Sequence, residues 1–305
     1  MKVFNIPAIL LILTMCVACT EDGNKIKKTT DKVVTSEEKN KADERLKETI
    51  LKYWDNYNFC DTTRNNIAEG EQRFSNFLML LNYADSASSH RAIANFIDKS
   101  EAEPTQKSRY EALVKHYLEN PQSPMRNDAV YAHFLRCKLE RIESGNEALR
   151  SRIEFKLKMV SKNIAGSIAT DFKYIDRNGR MSTLHAIEAR ATLIIFNDPD
   201  CDNCKRILPQ LIADPLFDHD FLKVMMVYPD ANTHIWETQR TTLPLGWIDA
   251  YSPKGEITEK VLYHIPAMPA LYLLDAEKRV ILKDAHPDVV RSVVANMLKT
   301  NGNRQ

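Results

Sequence analysis

Glycine is scarce in this chain, 8 in 305 residues, and neither GxGxxG nor GxxxxGK occurs. The backbone loops that cradle phosphate in nucleotide- and dinucleotide-binding proteins are therefore excluded. A charge surplus of either sign is also lacking: lysine and arginine number 42 against 41 aspartate and glutamate. Nothing here argues for nucleic acid or for a strongly cationic partner. The apolar run at residues 6–17 falls short of the ~20 residues that a membrane-spanning helix needs. Cysteine is limited to six. Zinc takes about four ligands, and no HxxxH and no nearby Cys/His pair completes a set, so no metal and no cofactor are expected.

What the chain does have is Cys201-Asp202-Asn203-Cys204, directly after the apolar run Ala191-Thr192-Leu193-Ile194-Ile195-Phe196. The pattern predicts a buried strand, a short turn, and a helix opening at the second cysteine. Two thiols three apart at a helix start can close a disulfide and open it again. The positive end of the helix favours the thiolate form of Cys201. Asp198, Asp200 and Asp202 crowd the same thiol with negative charge and oppose that effect; Lys205 and Arg206 act the other way.

Five residues past Cys204 stands Pro209, and further on runs Ile265-Pro266-Ala267-Met268-Pro269-Ala270-Leu271-Tyr272-Leu273-Leu274-Asp275. Upstream lie Ala169-Thr170-Asp171-Phe172 and Asp176-Arg177-Asn178-Gly179-Arg180, where Asn178-Gly179 is a two-residue hairpin signal. From about Gly166 onward this combination resembles the thioredoxin superfamily, in its TlpA-type branch. The resemblance implies a central mixed sheet flanked by helices and a CxxC that exchanges disulfides with protein substrates. Cys201 would be the nucleophile, Cys204 the resolving thiol, and the two would form the redox disulfide. It also implies a cis-proline facing the CxxC, with the preceding backbone pairing a substrate strand. Pro269 with Met268 fits that place, since an apolar strand over 270–274 follows at once; Pro266 is the competing candidate. The chain departs from thioredoxin in two places. Asp200 stands where thioredoxin has a tryptophan, and Ile195 stands where it has a buried aspartate that moves protons off the second thiol.

Residues 1–18 predict an export signal, with Lys2 ahead of the apolar run. Cys16-Val17-Ala18-Cys19 resembles a bacterial lipobox, which implies lipid on Cys19 and attachment to a membrane. Glu21-Asp22 resembles the acidic signals that send lipoproteins to the outer membrane, on its periplasmic face or at the cell surface. Residues 19–40 are polar, mixed in charge and unable to bury a core, so they predict a flexible tether.

Residues 41–162 predict a helical domain. Apolar stripes recur at Leu46, Ile50 and Trp54; at Phe74, Phe77, Leu78 and Leu81; at Ile93, Phe96 and Ile97; and at Tyr110, Leu113, Val114, Tyr117 and Leu118. Two more run through Val130, Tyr131, Phe134 and Leu135, capped by Asn127, and through Leu149, Ile153, Leu157 and Val160. Tyr53-Trp54-Asp55-Asn56-Tyr57-Asn58-Phe59 and Tyr117-Leu118-Glu119-Asn120-Pro121-Gln122-Ser123-Pro124-Met125-Arg126-Asn127 resemble the uncharacterised helical domain that precedes thioredoxin-like domains in bacterial envelope lipoproteins. In the second stretch two prolines fix a rigid connector, and Arg126 is placed to pair a carboxylate. Cys137 reads as a small buried hydrophobe, and His264 as a solvated loop residue.

The fold class is thus α+β overall: an N-terminal α-helical domain, then a C-terminal α/β thioredoxin-like domain over 163–305. The expected function is extracytoplasmic thiol–disulfide exchange with protein thiols and disulfides, served by a membrane-bound reductase if the protein acts as a reductant. The alternative is a non-catalytic, lipid-anchored binding or scaffold protein whose CxxC is a static disulfide.

Overall fold

The computed structural model describes residues 36–61, 63–237 and 243–302. The predicted export signal and Cys19 lie outside the described residues, as does most of the predicted tether. Its end does not: helix α1 spans Ser36–Leu51, so the last residues read as tether are helical. Glu, Lys and Ala are good helix formers, which suits these positions to a helix.

Five further helices follow: α2 (Arg64–Leu81), α3 (Ser86–Glu101), α4 (Pro104–Val114), α5 (Asp128–Glu140) and α6 (Glu147–Val160). Their apolar stripes meet in one core. Trp54 sits at its centre, 1% exposed, with ring centroids 5.0 Å from Phe96, 5.4 Å from Phe59 and 5.6 Å from Phe77. Between α4 and α5 the chain widens into a π-turn at Lys115–Glu119, closed by the Asn120 N–H on the Lys115 carbonyl at 3.0 Å. The connector 120–127 then delivers Asn127, whose side chain accepts from the N–H groups of Ala129 and Val130 and caps α5.

The rest is a seven-stranded sheet: β1 (Lys173–Asp176), β2 (Met181–Thr183), β3 (Ala191–Phe196), β4 (Leu222–Tyr228), β5 (Ile248–Tyr251), β6 (Ala270–Asp275) and β7 (Val280–Leu282), in the order β2-β1-β5-β4-β3-β6-β7. Strands β3, β4 and β5 run parallel, while β6 is antiparallel to β3. Helices α7 (Asp202–Ala213), α8 (Thr233–Glu237), α9 (Glu256–Glu259) and α10 (Pro287–Gly302) complete the chain.

Every residue of β3 is buried, because both faces of the sheet are covered. Ala191, Leu193 and Ile195 meet Ile207, Leu208 and Leu211 of α7 and Val290 and Val294 of α10. Ile194 and Phe196 face the other way, toward Phe172, Ile257 and Tyr263. The mixed sheet with helices on both faces, preceded by a helical part, is the fold class expected from the sequence.

Two local expectations differ. The β1–β2 connection is a three-residue loop, 177–179, with Gly179 alone in the positive-φ region at +75° and the Asp176 N–H on the Arg180 carbonyl at 3.0 Å. A turn followed by a left-handed glycine is the common three-residue solution. The sequence also reads as an edge strand over Trp247–Ala250, but this segment is β5, paired to β4 on one side and β1 on the other. The N-terminal hairpin β1–β2 covers the edge that a sequence reading leaves open. Trp236 and Trp247 are each 4% exposed, as packing residues should be.

Candidate functional site

The register of β3 against β6 builds the site. Phe196 lies opposite Ala270, so the chain leaving β3 toward Cys201 and the chain entering β6 through Pro269 meet at one end of the sheet. The helix opens at Asp202, two residues earlier than the sequence predicts, with Cys201 as its N-cap. The Cys204 N–H donates to Cys201 Sγ at 3.3 Å. This is the N-cap to third-residue bond usually made by a side-chain oxygen. It leaves Cys201 half-buried at the surface and puts Cys204 in the first helical turn, fully buried. Helix α7 then runs on through Pro209.

The Met268–Pro269 peptide is cis. The Cys201 thiol donates to the Met268 carbonyl at 3.3 Å, and Asn203 Nδ2 donates to the same oxygen at 3.1 Å. Arg206 holds Asn203 in turn, Nη2 to Oδ1 at 2.6 Å. Asn203 was not singled out from the sequence, since a polar residue between two cysteines reads as solvent-facing. Its position on the first turn, next to Cys204, was the available signal.

No disulfide joins Cys201 to Cys204 in this structure. Burial pushes the Cys204 thiol up to about 12, with the Asp198 backbone N–H opposing and Cys201 adding to the rise. Ile195, where thioredoxin carries its buried aspartate, is fully buried in the apolar core under α7. Of the three aspartates around Cys201, Asp200 is exposed and Asp202 points fully into water, 3.9 Å from Lys205.

A groove of about 680 Å³ adjoins this site. One wall carries Asn203, Arg206, Met268 and Pro269, and the other carries Gln122, Ser123 and Pro124 of the connector between α4 and α5. The helical part of the chain therefore walls the region beside the CxxC. A buried charge cluster fixes that wall. Arg126 donates to Asp284, in the turn after β7, and to Asp128 at 2.9 Å. Asp128 also takes Lys283 Nζ at 2.8 Å and His264 Nδ1 at 3.2 Å. Lys283 further donates to the Val160 and Lys162 carbonyls, each at 2.7 Å, closing the end of α6. The connector is thus more than a spacer, and His264 is bound to the helical part rather than solvated in a loop.

Burial alone would push the Asp128 carboxyl up, but the His264 hydrogen bond and the charges of Lys283 and Arg126 outweigh it and hold it well below the usual carboxylate range. At Asp284 burial wins over Arg126, and the carboxyl is raised. No helix among the described residues is long and apolar enough to cross a membrane.

Residues 29–163 match a family described as a domain of unknown function (DUF5106). No curated protein matches the chain. Among solved structures, a thioredoxin-like protein from Bacteroides caccae shares 30% identity over 83% of this chain and 93% of its own, with a TM-score of 0.72. The C-terminal domain of an uncharacterized protein from Bacteroides fragilis shares 34% identity over 44% of this chain and 99% of its own, TM-score 0.43. The thioredoxin domain of a thiol-disulfide oxidoreductase from Bacteroides vulgatus shares 19% identity over 44% of this chain and 96% of its own, TM-score 0.39. With a sheet and CxxC-bearing helix of this form, and a relative matched over nearly its whole length, the chain belongs to the family of thioredoxin-like proteins.

Proposed function

We propose that the protein is an extracytoplasmic thiol–disulfide oxidoreductase acting on protein thiols and disulfides through Cys201 and Cys204. The observation that carries this reading is the asymmetry of the pair: a half-buried Cys201 capping α7 beside Met268 and Pro269, and a buried Cys204 one turn behind it. Cys201 thiolate attacks one sulfur of a substrate disulfide. A mixed disulfide forms and one substrate thiolate leaves. Cys204 then attacks Cys201 Sγ and expels the second substrate thiolate. Substrate gains two electrons and two protons, and Cys201–Cys204 becomes a disulfide. The reverse sequence oxidises a dithiol, and the reduction potential relative to the compartment sets the direction.

The cap position aims the Cys204 N–H at Cys201 Sγ, 3.3 Å away, at the first turn of α7. The backbone of Met268 and cis Pro269 orient the substrate strand, and the groove between them and the connector takes the polypeptide flanking the attacked cysteine. Residues 1–18 export the chain, lipid on Cys19 attaches it to the envelope, with the outer membrane the favoured site, and in the reducing direction a membrane-bound reductase recharges the pair.

Gln122 is exposed on the connector wall, so Gln122→Trp narrows the groove without touching the cysteines. Reduction of a protein disulfide is expected to slow about tenfold, ~1.4 kcal/mol in the barrier, with exchange against a small symmetric disulfide unchanged. Equal rates on the protein substrate would remove the connector from substrate binding. Absence of exchange with either substrate in the unaltered protein would remove the function itself.

A further inference from the structure

A second cluster of thiol, imidazole and carboxylate lies in the helical part, between α3 and α5. His90 comes from α3; Cys137 and Glu140 come from α5, three residues apart and so on one helix face. One ligand atom from each falls within 4.8 Å of the other two. Cys137 Sγ is 3.5 Å from His90 Nδ1 and 3.9 Å from Nε2, and His90 Nε2 is 3.3 Å from Glu140 Oε1. Bonds of ~2.3 Å to sulfur and ~2.0–2.1 Å to nitrogen or oxygen at tetrahedral angles put ligand atoms about 3.3–3.7 Å apart. Measured from the single nitrogen Nε2, the spacings are 3.9 Å to sulfur and 3.3 Å to the carboxylate oxygen, so a small inward shift of the side chains closes the set.

We propose that His90, Cys137 and Glu140 bind a divalent transition-metal ion of the zinc class, joining α3 to α5. Sulfur, nitrogen and oxygen donors together suit a borderline-soft cation rather than calcium or magnesium. His133, one turn before Cys137 on α5, stands beside the set, its ring centroid 5.8 Å from that of His90. His133 Nδ1 is buried and has no hydrogen-bond partner among the described residues, while Nε2 faces Ser86 Oγ at 3.4 Å. Water fills the fourth position.

The neighbouring charges leave room for the ion. Arg141 is engaged by Asp98 at 2.7 Å and donates to the Cys137 carbonyl at 2.8 Å. Its approach to Glu140 is to Oε2, at 3.8 Å, not to the Oε1 that faces His90. Cys137 itself is fully buried, and burial pushes its thiol up to about 11. It is no reactive nucleophile; on binding, the ion displaces the thiol proton to solvent. His90 and Glu140 remain part-exposed, at 30% and 55% of their side chains, which gives the ion a path in. The sequence conceals this set because His90 and Cys137 are 47 residues apart, on helices that only the folded core brings together.

The test is cobalt(II) titration of the full chain with Cys16, Cys19, Cys60, Cys201 and Cys204 replaced by serine, which leaves Cys137 as the sole thiol. The expected result is one cobalt per chain with a thiolate-to-cobalt charge-transfer band, displaced by zinc. His90→Ala, at a part-exposed position, is expected to weaken binding at least tenfold, and Cys137→Ala to abolish the band. No thiolate band, or a band whose affinity is unchanged in His90→Ala, would overturn the site.

Discussion

Replacing Cys201 with serine is expected to reduce protein-disulfide exchange to the rate measured without protein, while replacing Cys204 with serine leaves a stable mixed disulfide on Cys201. A hydroxyl is far less acidic than a thiol and does not attack a disulfide sulfur, so the first step is lost altogether. With Cys204 replaced, the first step survives and the resolving step does not. The pair of outcomes assigns order as well as chemistry: the half-buried cap attacks and the buried thiol resolves. Loss of fold does not explain the first result, because serine is a good N-cap and accepts the same N–H of residue 204. Melting temperatures of the two variants should therefore stay close to that of the unaltered chain. Mass spectrometry of the Cys204→Ser adduct gives the readout, and residual exchange in Cys201→Ser would contradict the assignment.

The second large effect is expected far from the cysteines in sequence. Arg126→Ala should destabilise the chain by about 3–5 kcal/mol, measured by denaturant unfolding. The guanidinium is 8% exposed and lies between Asp128 and Asp284, at 7% and 13%. Its removal leaves two buried carboxylates facing each other's field. Asp128 retains Lys283 and His264, whereas Asp284 loses the cation that opposes its burial. Asp284→Asn in the same chain is therefore expected to restore part of the loss. A change within about 0.5 kcal/mol, as for an ordinary surface substitution, would show that the cluster does not hold the two parts together.

The pH dependence carries the same signs. The Asp128 carboxyl is depressed in the folded chain, so its stabilisation is present above the unfolded value of ~3.9 and lost as pH falls through the folded one. Asp284 is raised, so its contribution is present below the unfolded value and lost as pH rises through the folded one. At neutral pH Asp284 is a liability that Arg126 offsets, which is why the double substitution should recover stability.

Local signals in the sequence were legible. The six apolar residues of β3, the CxxC after them, the Asn127 cap and the stripes of α2 to α6 each depend on neighbours within a turn or a strand. Pro269 was legible for the same reason, because β6 follows it directly. The groove was not. Its wall comes from the connector, fixed by Arg126 to a carboxylate 158 residues away and by Asp128 to an imidazole 136 residues away. A periodic pattern records which face of an element is buried but not against what. The central position of β5 was hidden likewise, since four residues that include the buried Asp249 look like an edge until β1 is paired to them. Asn203 escaped because its partner is a backbone carbonyl, which sequence does not distinguish from any other.

The most direct measurement is the reduction potential of Cys201–Cys204, with Cys201→Ser as the control for the remaining cysteines. A value near ~−270 mV or somewhat higher is expected, the range of working exchange pairs. A value well below ~−300 mV, resistant to mild reductant, would contradict the exchange function and leave a static disulfide in a binding protein.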